Sequence, residues 1–246
     1  MRVARKRPFW RTNPKGAYKD WARRRQVRRA GVLPVVAGEL RSFGQASGRW
    51  PVLVDRLSSE PTVWSFGVGF DLSFECEFLS ACGGRVRAFD PTPRSFEWAS
   101  TLSKPSGLRV ERVGLGAENG EASFVEPRDP RSANFRVISS RGVSSEERPV
   151  VRCPIRRLET FVDDLGEKPD LLKIDIEGGE FDVIGQIADL RPEQLLIEFH
   201  HGMWGYAFDD TCEAIRTLGR AGYSPFWVSR RGLEFGFSLS SEDRDS

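Results

Sequence analysis

From residue 62 onward the chain alternates short runs of β-branched and aromatic residues with longer stretches whose apolar positions recur at helical spacing. The runs at 62–66, 85–90, 108–113, 171–176, 194–199 and 224–229 have the length of buried strands. The stretches at 71–82, 93–103, 157–165, 178–189 and 209–221 have the period of helices. Strands alternating with helices predict βαβ units, hence a parallel sheet covered by helices on both faces. The last step breaks the alternation. Residues 226–239, FWVSRRGLEFGFSL, read as two strands joined by Arg230-Arg231-Gly232, a connection of hairpin length. The expected fold class is α/β: a Rossmann-like, mostly parallel seven-stranded sheet closed by a C-terminal antiparallel hairpin.

Two segments fall outside this pattern. Residues 127–150, rich in Ser, Arg, Pro and Glu, have no sustained period and read as a long loop that orders over a ligand. Residues 32–61 contain VLPVVAGEL and GRWPVLVDRL, apolar enough to pack on the sheet as a cap, which leaves 62–246 as the main domain.

Charge separates a third segment. The formal net charge of +2 hides twelve Lys/Arg against the single acid Asp20 in residues 1–31, so this arm is +11 and the remainder, with 25 basic and 34 acidic residues, is −9. Trp10, Tyr18 and Trp21 are interleaved with the cations, a mixture suited to RNA or to an anionic membrane. No apolar run approaches the roughly 20 residues that span a bilayer, and the arm has no secretory core. The four cysteines stand at no metal-ligand spacing, so reduced thiols and a cytoplasmic setting are expected.

The candidate chemistry begins at VWSFGVGFD, residues 63–71, where a strand runs into Gly67-Val68-Gly69. In an open parallel sheet, ligands bind beyond the carboxyl ends of the strands. The dinucleotide fingerprint asks for a third glycine where this chain has Leu72, which disfavours NAD. Asp90 ends the second strand about twenty residues on, where a carboxylate holds the ribose of an adenosine or, alternatively, caps the helix behind it. An adenosine-type acid, two glycines and a closing hairpin together point to S-adenosylmethionine, which has no pyrophosphate.

The blocks VWSFGVGFDLSFE, VRAFDPTP, PIRRLETFVDDLG, LLKIDIEGGEFDVI and QLLIEFHH, in this order, resemble the FkbM-type methyltransferases over residues 48–239. The resemblance implies a class I S-adenosylmethionine-dependent methyltransferase acting on oxygen. It implies that Gly67, Gly69 and Asp71 wrap the methionine part of the cofactor, that Asp90 holds its ribose, and that Gly116 lies near the adenine. The family's acid near the end of the first strand is replaced here by Ser65, which leaves the cofactor ammonium to Asp71 or to backbone carbonyls.

Asp175 and Glu177 in DIEGGE end an apolar strand, and alternation along it puts both carboxylates on one face, near cofactor and acceptor. Glu198, His200 and His201 end the next strand, and the two histidines are the only ones in the protein. Asp175, Glu177, Glu198, His200 and His201 are the candidate proton acceptors for a hydroxyl undergoing methylation. No ligand spacing is diagnostic of a metal, and none is expected. The acceptor is expected to be a sugar, polyketide or other small molecule lying against Trp50, Trp204, Tyr206 and the 127–150 loop. The rival readings are a nucleic-acid-binding or RNA-modifying protein using the basic arm, and an NAD-dependent enzyme on a similar sheet.

Overall fold

In the computed structural model, which describes residues 14–45, 48–129, 131–138 and 148–240, the longest sheet is built from strands buried on both faces. β3 (Thr62–Phe66), β10 (Leu171–Ile174) and β11 (Gln194–Glu198) have no exposed residue, as expected of central parallel strands. With β4 (Arg85–Phe89), β5 (Leu108–Glu111), β12 (Tyr223–Val228) and β13 (Glu234–Leu239) they form seven strands in the order β12-β13-β11-β10-β3-β4-β5. All neighbours are parallel except β13, which runs antiparallel to both β11 and β12. The order reverses between β3 and β10, so the loops after these two strands open a crevice at the carboxyl edge.

Alternation along the strands feeds two apolar layers. Trp64, Phe66, Leu172, Ile174, Leu195 and Ile197 face α4 (Leu158–Leu165), α5 (Ile184–Leu190) and α6 (Phe208–Arg220). Val63, Val86, Ala88, Leu171 and Leu196 face α2 (Ser73–Cys82) and α3 (Pro93–Thr101). The expected cap is an antiparallel hairpin of β1 (Leu40–Phe43) and β2 (Trp50–Leu53) that joins the second layer. It is tied down by the buried Gln194 amide, which accepts from the Leu53 N–H at 3.0 Å and donates to the Leu53 carbonyl at 2.9 Å.

Part of the basic arm is α1 (Pro14–Arg29), and it docks on the body: Val27 is buried in the first layer and Gly232 lies against the backbone of Arg23 and Arg24. Tyr18 and Trp21 are exposed on α1 and stack on each other. Residues 1–13 of the arm, including Trp10, are outside the described residues.

The structure differs from the sequence expectation in three places. The 127–150 segment is not all loop. β8 (Arg136–Val137) lies inside it and β9 (Val150–Arg156) starts at its end, and both join β6 (Gly114–Leu115) and β7 (Gly120–Val125) in a four-stranded sheet. Residues 130 and 139–147 of that loop are outside the described residues. The single helix expected over 178–189 is a 3₁₀ turn (Glu180–Asp182) followed by α5, because the Glu180 side chain folds back to accept from the N–H groups of Ile176 and Gly178. The strand expected to run to Ile176 stops at Ile174, so Asp175 and Glu177 are not presented by strand alternation: Glu177 sits in a turn with φ 52°.

Candidate active site

The loops beyond β3, β4, β10 and β11 enclose a cavity of ≈ 1110 Å³. One wall is Gly67–Asp71, Asp90 and Gly114–Glu118, and the opposite wall is Asp175, Glu177, Glu198, His200, Trp204 and Arg231. The segment Arg131–Phe135 also lines it.

Gly67 has φ +87°, and a Cβ there would lie 1.7 Å from the Asp175 carbonyl oxygen. The bare backbone at the end of β3 is therefore demanded first by β10, packed side by side with it. Gly69, with φ +58°, has only the Ala133 methyl near its missing Cβ, at 3.5 Å. Its empty side faces the cavity wall that a cofactor must approach.

Asp90, buried to 5 % exposure, is spent within the chain. Its Oδ2 accepts from the N–H groups of Val68 (3.1 Å) and Gly69 (2.9 Å), and its Oδ1 accepts from the N–H and hydroxyl of Thr92 (3.0 and 2.6 Å). Four donors fill the acceptor positions of a carboxylate, so Asp90 shapes the glycine loop, and a ribose can bond to it only by exchanging one of these partners. Burial raises the Asp90 pKa against the lowering effect of those bonds. Asp71 likewise accepts from the Ser73 N–H at 2.8 Å, at the entry to α2, while lining the cavity. Gly116 lines it too, donating its N–H to Arg156 and accepting from Gln186, with the Ile155 side chain where its Cβ would be.

A carboxylate stands beside Ser65 after all. Glu75, 1 % exposed on α2, accepts from the Ser65 hydroxyl at 2.5 Å and lies 3.8 Å from the Lys173 ammonium. Its second oxygen is buried and has no hydrogen-bond donor among the described residues. Both Glu75 and Lys173 line the cavity. The signal was present in the sequence as Glu75 between Phe74 and Cys76 in the helix start SFECEF and as a lone lysine in the apolar strand LLKI.

On the opposite wall, carboxylates surround one imidazole. His200 Nδ1 is 2.8 Å from Glu180 Oε1, and Glu180 is fully buried. His200 Nε2 lies 3.3 Å from Glu177 Oε2, 3.9 Å from Glu198 Oε1 and 4.0 Å from Asp175 Oδ1. Trp204 stacks on the ring at 5.0 Å. Asn134 donates to Glu177 Oε1 at 2.6 Å, and Arg231 donates to Glu198 Oε1 at 2.6 Å. Asp175 Oδ1 is buried and accepts no hydrogen bond from the described residues.

Burial and mutual repulsion disfavour so many charges. Burial raises Glu177 to about 7 and, with Asp175 and Glu234 adding to it, Glu198 to about 8; burial also raises Asp175. For His200, burial alone would lower the pKa, but Glu180, Glu177 and Asp175 outweigh it and push it up to about 10. The surrounding carboxylates thus favour the protonated imidazole so long as no cation lies among them.

His201, expected beside it, does not line the cavity. It is buried against Thr211 (Nδ1 to Oγ1 3.0 Å) and Phe208, and burial, with Arg23 and His200, lowers it to about 4. Consecutive residues leaving a strand point to opposite sides, so only one of the pair can face the carboxylates. Of the expected acceptor aromatics, Trp50 and Trp204 line the cavity, whereas Tyr206 is buried against Phe181. Glu180, Asn134 and Arg231 were missed by sequence reasoning.

The strand order, the closing antiparallel strand and a ligand-sized cavity at the switch point are the architecture of the class I S-adenosylmethionine-dependent methyltransferases. Residues 65–225 match the Methyltransferase FkbM domain, and the chain belongs to that family. Its cofactor is S-adenosylmethionine. Among curated proteins none matches the chain. Among solved structures it is similar to the fibrillarin pre-rRNA processing protein of Methanococcus jannaschii (8 % identity, 84 % of this chain and 86 % of that one, TM-score 0.45). It is also similar to Aeropyrum pernix fibrillarin with natively bound S-adenosyl-L-methionine (10 %, 85 % and 86 %, 0.43). A third is a TehB-like S-adenosylmethionine-dependent methyltransferase from Corynebacterium glutamicum (14 %, 93 % and 100 %, 0.38). No helix of the described residues is long and apolar enough to cross a membrane.

Proposed function

We propose that this methyltransferase transfers its methyl group to a hydroxyl of a sugar or other small natural-product acceptor. The observation that carries the reading is the Asp175 carboxylate, whose Oδ1 has no donor although its backbone is tied by an N–H bond to Phe66 of the cofactor strand at 3.0 Å. A free acceptor atom anchored beside the glycine loop suits a proton that must leave as a methyl arrives.

The residues present fit the cofactor. Gly67, Gly69 and Asp90 make the loop it lies on, and Gly116 forms the wall beyond. Glu75 and Lys173 offer a negative and a positive group side by side, which match the ammonium and carboxylate of its amino-acid end. Bound S-adenosylmethionine supplies an electrophilic methyl on a sulfonium sulfur, giving a methyl ether and S-adenosylhomocysteine. The chain need only align the acceptor oxygen and take its proton. Trp204 and Trp50 provide aromatic faces for the acceptor, Arg131–Phe135 shields it from water, and the proton passes to the Asp175–Glu177 carboxylates.

The reading is tested by radiolabelled methyl transfer from S-adenosylmethionine to a panel of sugar and polyketide alcohols, with the product located by mass and by its O-methyl resonance. Label found on nitrogen or carbon, or on RNA alone, would contradict it. S-Adenosylhomocysteine at 100 times its Kd should add about 2.7 kcal/mol of stability, roughly 5 to 10 °C in Tm for a chain of this size. NAD should add nothing.

Two substitutions separate the cavity walls. Glu75→Gln should weaken S-adenosylhomocysteine binding about 10- to 100-fold in calorimetry, the loss of one charge-assisted hydrogen bond. Unaltered affinity would remove Glu75 from the site. His201→Gln should leave that affinity within about two-fold and cost about 1–2 kcal/mol in denaturant unfolding, one buried hydrogen bond. A ten-fold affinity loss would place His201 at the cavity after all.

A further inference from the structure

We infer that Asp175, Glu198 and His200 form a site for a hard divalent cation, of the Mg²⁺ or Mn²⁺ type, on the acceptor wall of the cavity. One oxygen from each acid and one ring nitrogen of His200 lie within 4.8 Å of one another. Three atoms spaced at 3.9 to 4.8 Å have a common point about 2.3 to 2.8 Å from each, a few tenths of an ångström outside the 2.0–2.1 Å of Mg²⁺, so a small inward movement of the side chains closes the site.

Three further observations point to a ligand. The Glu180 carboxylate, wholly buried, sits 2.8 Å from His200 Nδ1 and holds the hydrogen there, so that Nε2 faces the cluster and would ligate an ion that displaces its proton. This carboxylate–imidazole pairing is the usual support of a metal-bound histidine. Asp175 Oδ1 is buried there with no hydrogen-bond donor among the described residues. The charges are also out of balance. Asp175, Glu177, Glu180, Glu198 and Glu234 crowd around one imidazole and the Arg231 guanidinium, which is itself shared between Glu198 and Glu234. Lys173 is committed to Glu75. Uncompensated carboxylates in a partly dry cavity are costly, and a divalent cation at their centre removes that cost.

Two carboxylates and one imidazole leave half of an octahedron open for water or for the substrate. The open side faces the cavity, so the cation would bind the acceptor hydroxyl directly, make it more acidic and fix its orientation. With Asp175 engaged as a ligand, Glu177, which is not one of the three, takes the proton. This role rests on the O-methylation reading, but the existence of the site does not.

The test is titration of MnCl₂ into the full-length protein, followed by loss of the free-ion electron paramagnetic resonance signal and by the electron–nuclear coupling of the bound ion. One Mn²⁺ per chain with coupling to one imidazole nitrogen is expected. Glu198→Gln and His200→Gln should each weaken binding more than about 10-fold, and His200→Gln should abolish the nitrogen coupling. S-Adenosylhomocysteine binding, measured on the same samples, verifies that each variant is folded and reports separately on the cofactor reading. No bound Mn²⁺ in a wild-type protein that binds S-adenosylhomocysteine would overturn the inference. So would bound Mn²⁺ that shows no nitrogen coupling and ignores both substitutions.

Discussion

Gly67→Ala should lower the stability of the protein by about 3–5 kcal/mol, combining the cost of a left-handed backbone for a residue with a Cβ with that of overpacking. At about 2–4 °C per kcal/mol, the expected fall in Tm is roughly 10 °C. The new methyl would sit 1.7 Å from the Asp175 carbonyl, inside covalent-contact range, and that oxygen belongs to backbone rather than to a side chain that can swing away. Relief requires the end of β3 to part from β10 where Asp175 N–H bonds to Phe66, or to shift against β4 where Gly67 N–H bonds to Phe89. Gly69→Ala is the matched control. It has the same sign of φ, but its nearest neighbour is a methyl at 3.5 Å, so only the conformational penalty of about 1–2 kcal/mol applies. Equal unfolding midpoints for the two variants would show that the close approach of the two strands is not what requires Gly67. Because Asp175 is on the far side of that contact, residual folded Gly67→Ala should also bind cofactor poorly.

The same contact shows what a sequence can and cannot reveal. The seven strands were legible because each central one is buried on both faces, so that Val63, Trp64 and Phe66, or Leu171, Leu172 and Ile174, form apolar runs broken only by Ser65 and Lys173. The four-stranded sheet was not. β6 and β8 have two residues each, and β9 buries only Cys153, so none of them shows an apolar period. At the site, residue type marked Asp175, Glu177, Glu198, His200 and His201 as candidates, and the fold brings the first four, but not His201, to the cavity lining. Their partners are set by distances between elements far apart in sequence. Glu75 reaches Ser65 from a helix, Asn134 reaches Glu177 from a loop, and Glu180 reaches His200 across two strand ends. Asp90 is the instructive intermediate. Its position at the end of β4 was evident, but only the structure shows that Val68, Gly69 and Thr92 occupy its oxygens.

Asp175→Asn should reduce methyl transfer by about 10²- to 10⁴-fold, the usual range for loss of a positioned acid–base group, while S-adenosylhomocysteine affinity stays within about three-fold. The substitution keeps the side-chain volume and the backbone bond to Phe66, so the glycine loop that carries the cofactor is undisturbed. What it removes is a carboxylate whose Oδ1 is buried without a donor among the described residues. The stability readout should move the other way. Burial and the neighbouring Glu180 and Glu234 raise the Asp175 pKa against His200 and Lys173, so its charged form is disfavoured in the fold. A neutral amide there relieves that repulsion, and Tm should be unchanged or higher. A loss of turnover accompanied by a gain in stability is the signature of a residue kept for its chemistry. If turnover, cofactor affinity and Tm all fall together, Asp175 is a structural support and the proton must go elsewhere in the cluster, with Glu177→Gln the variant that then abolishes transfer.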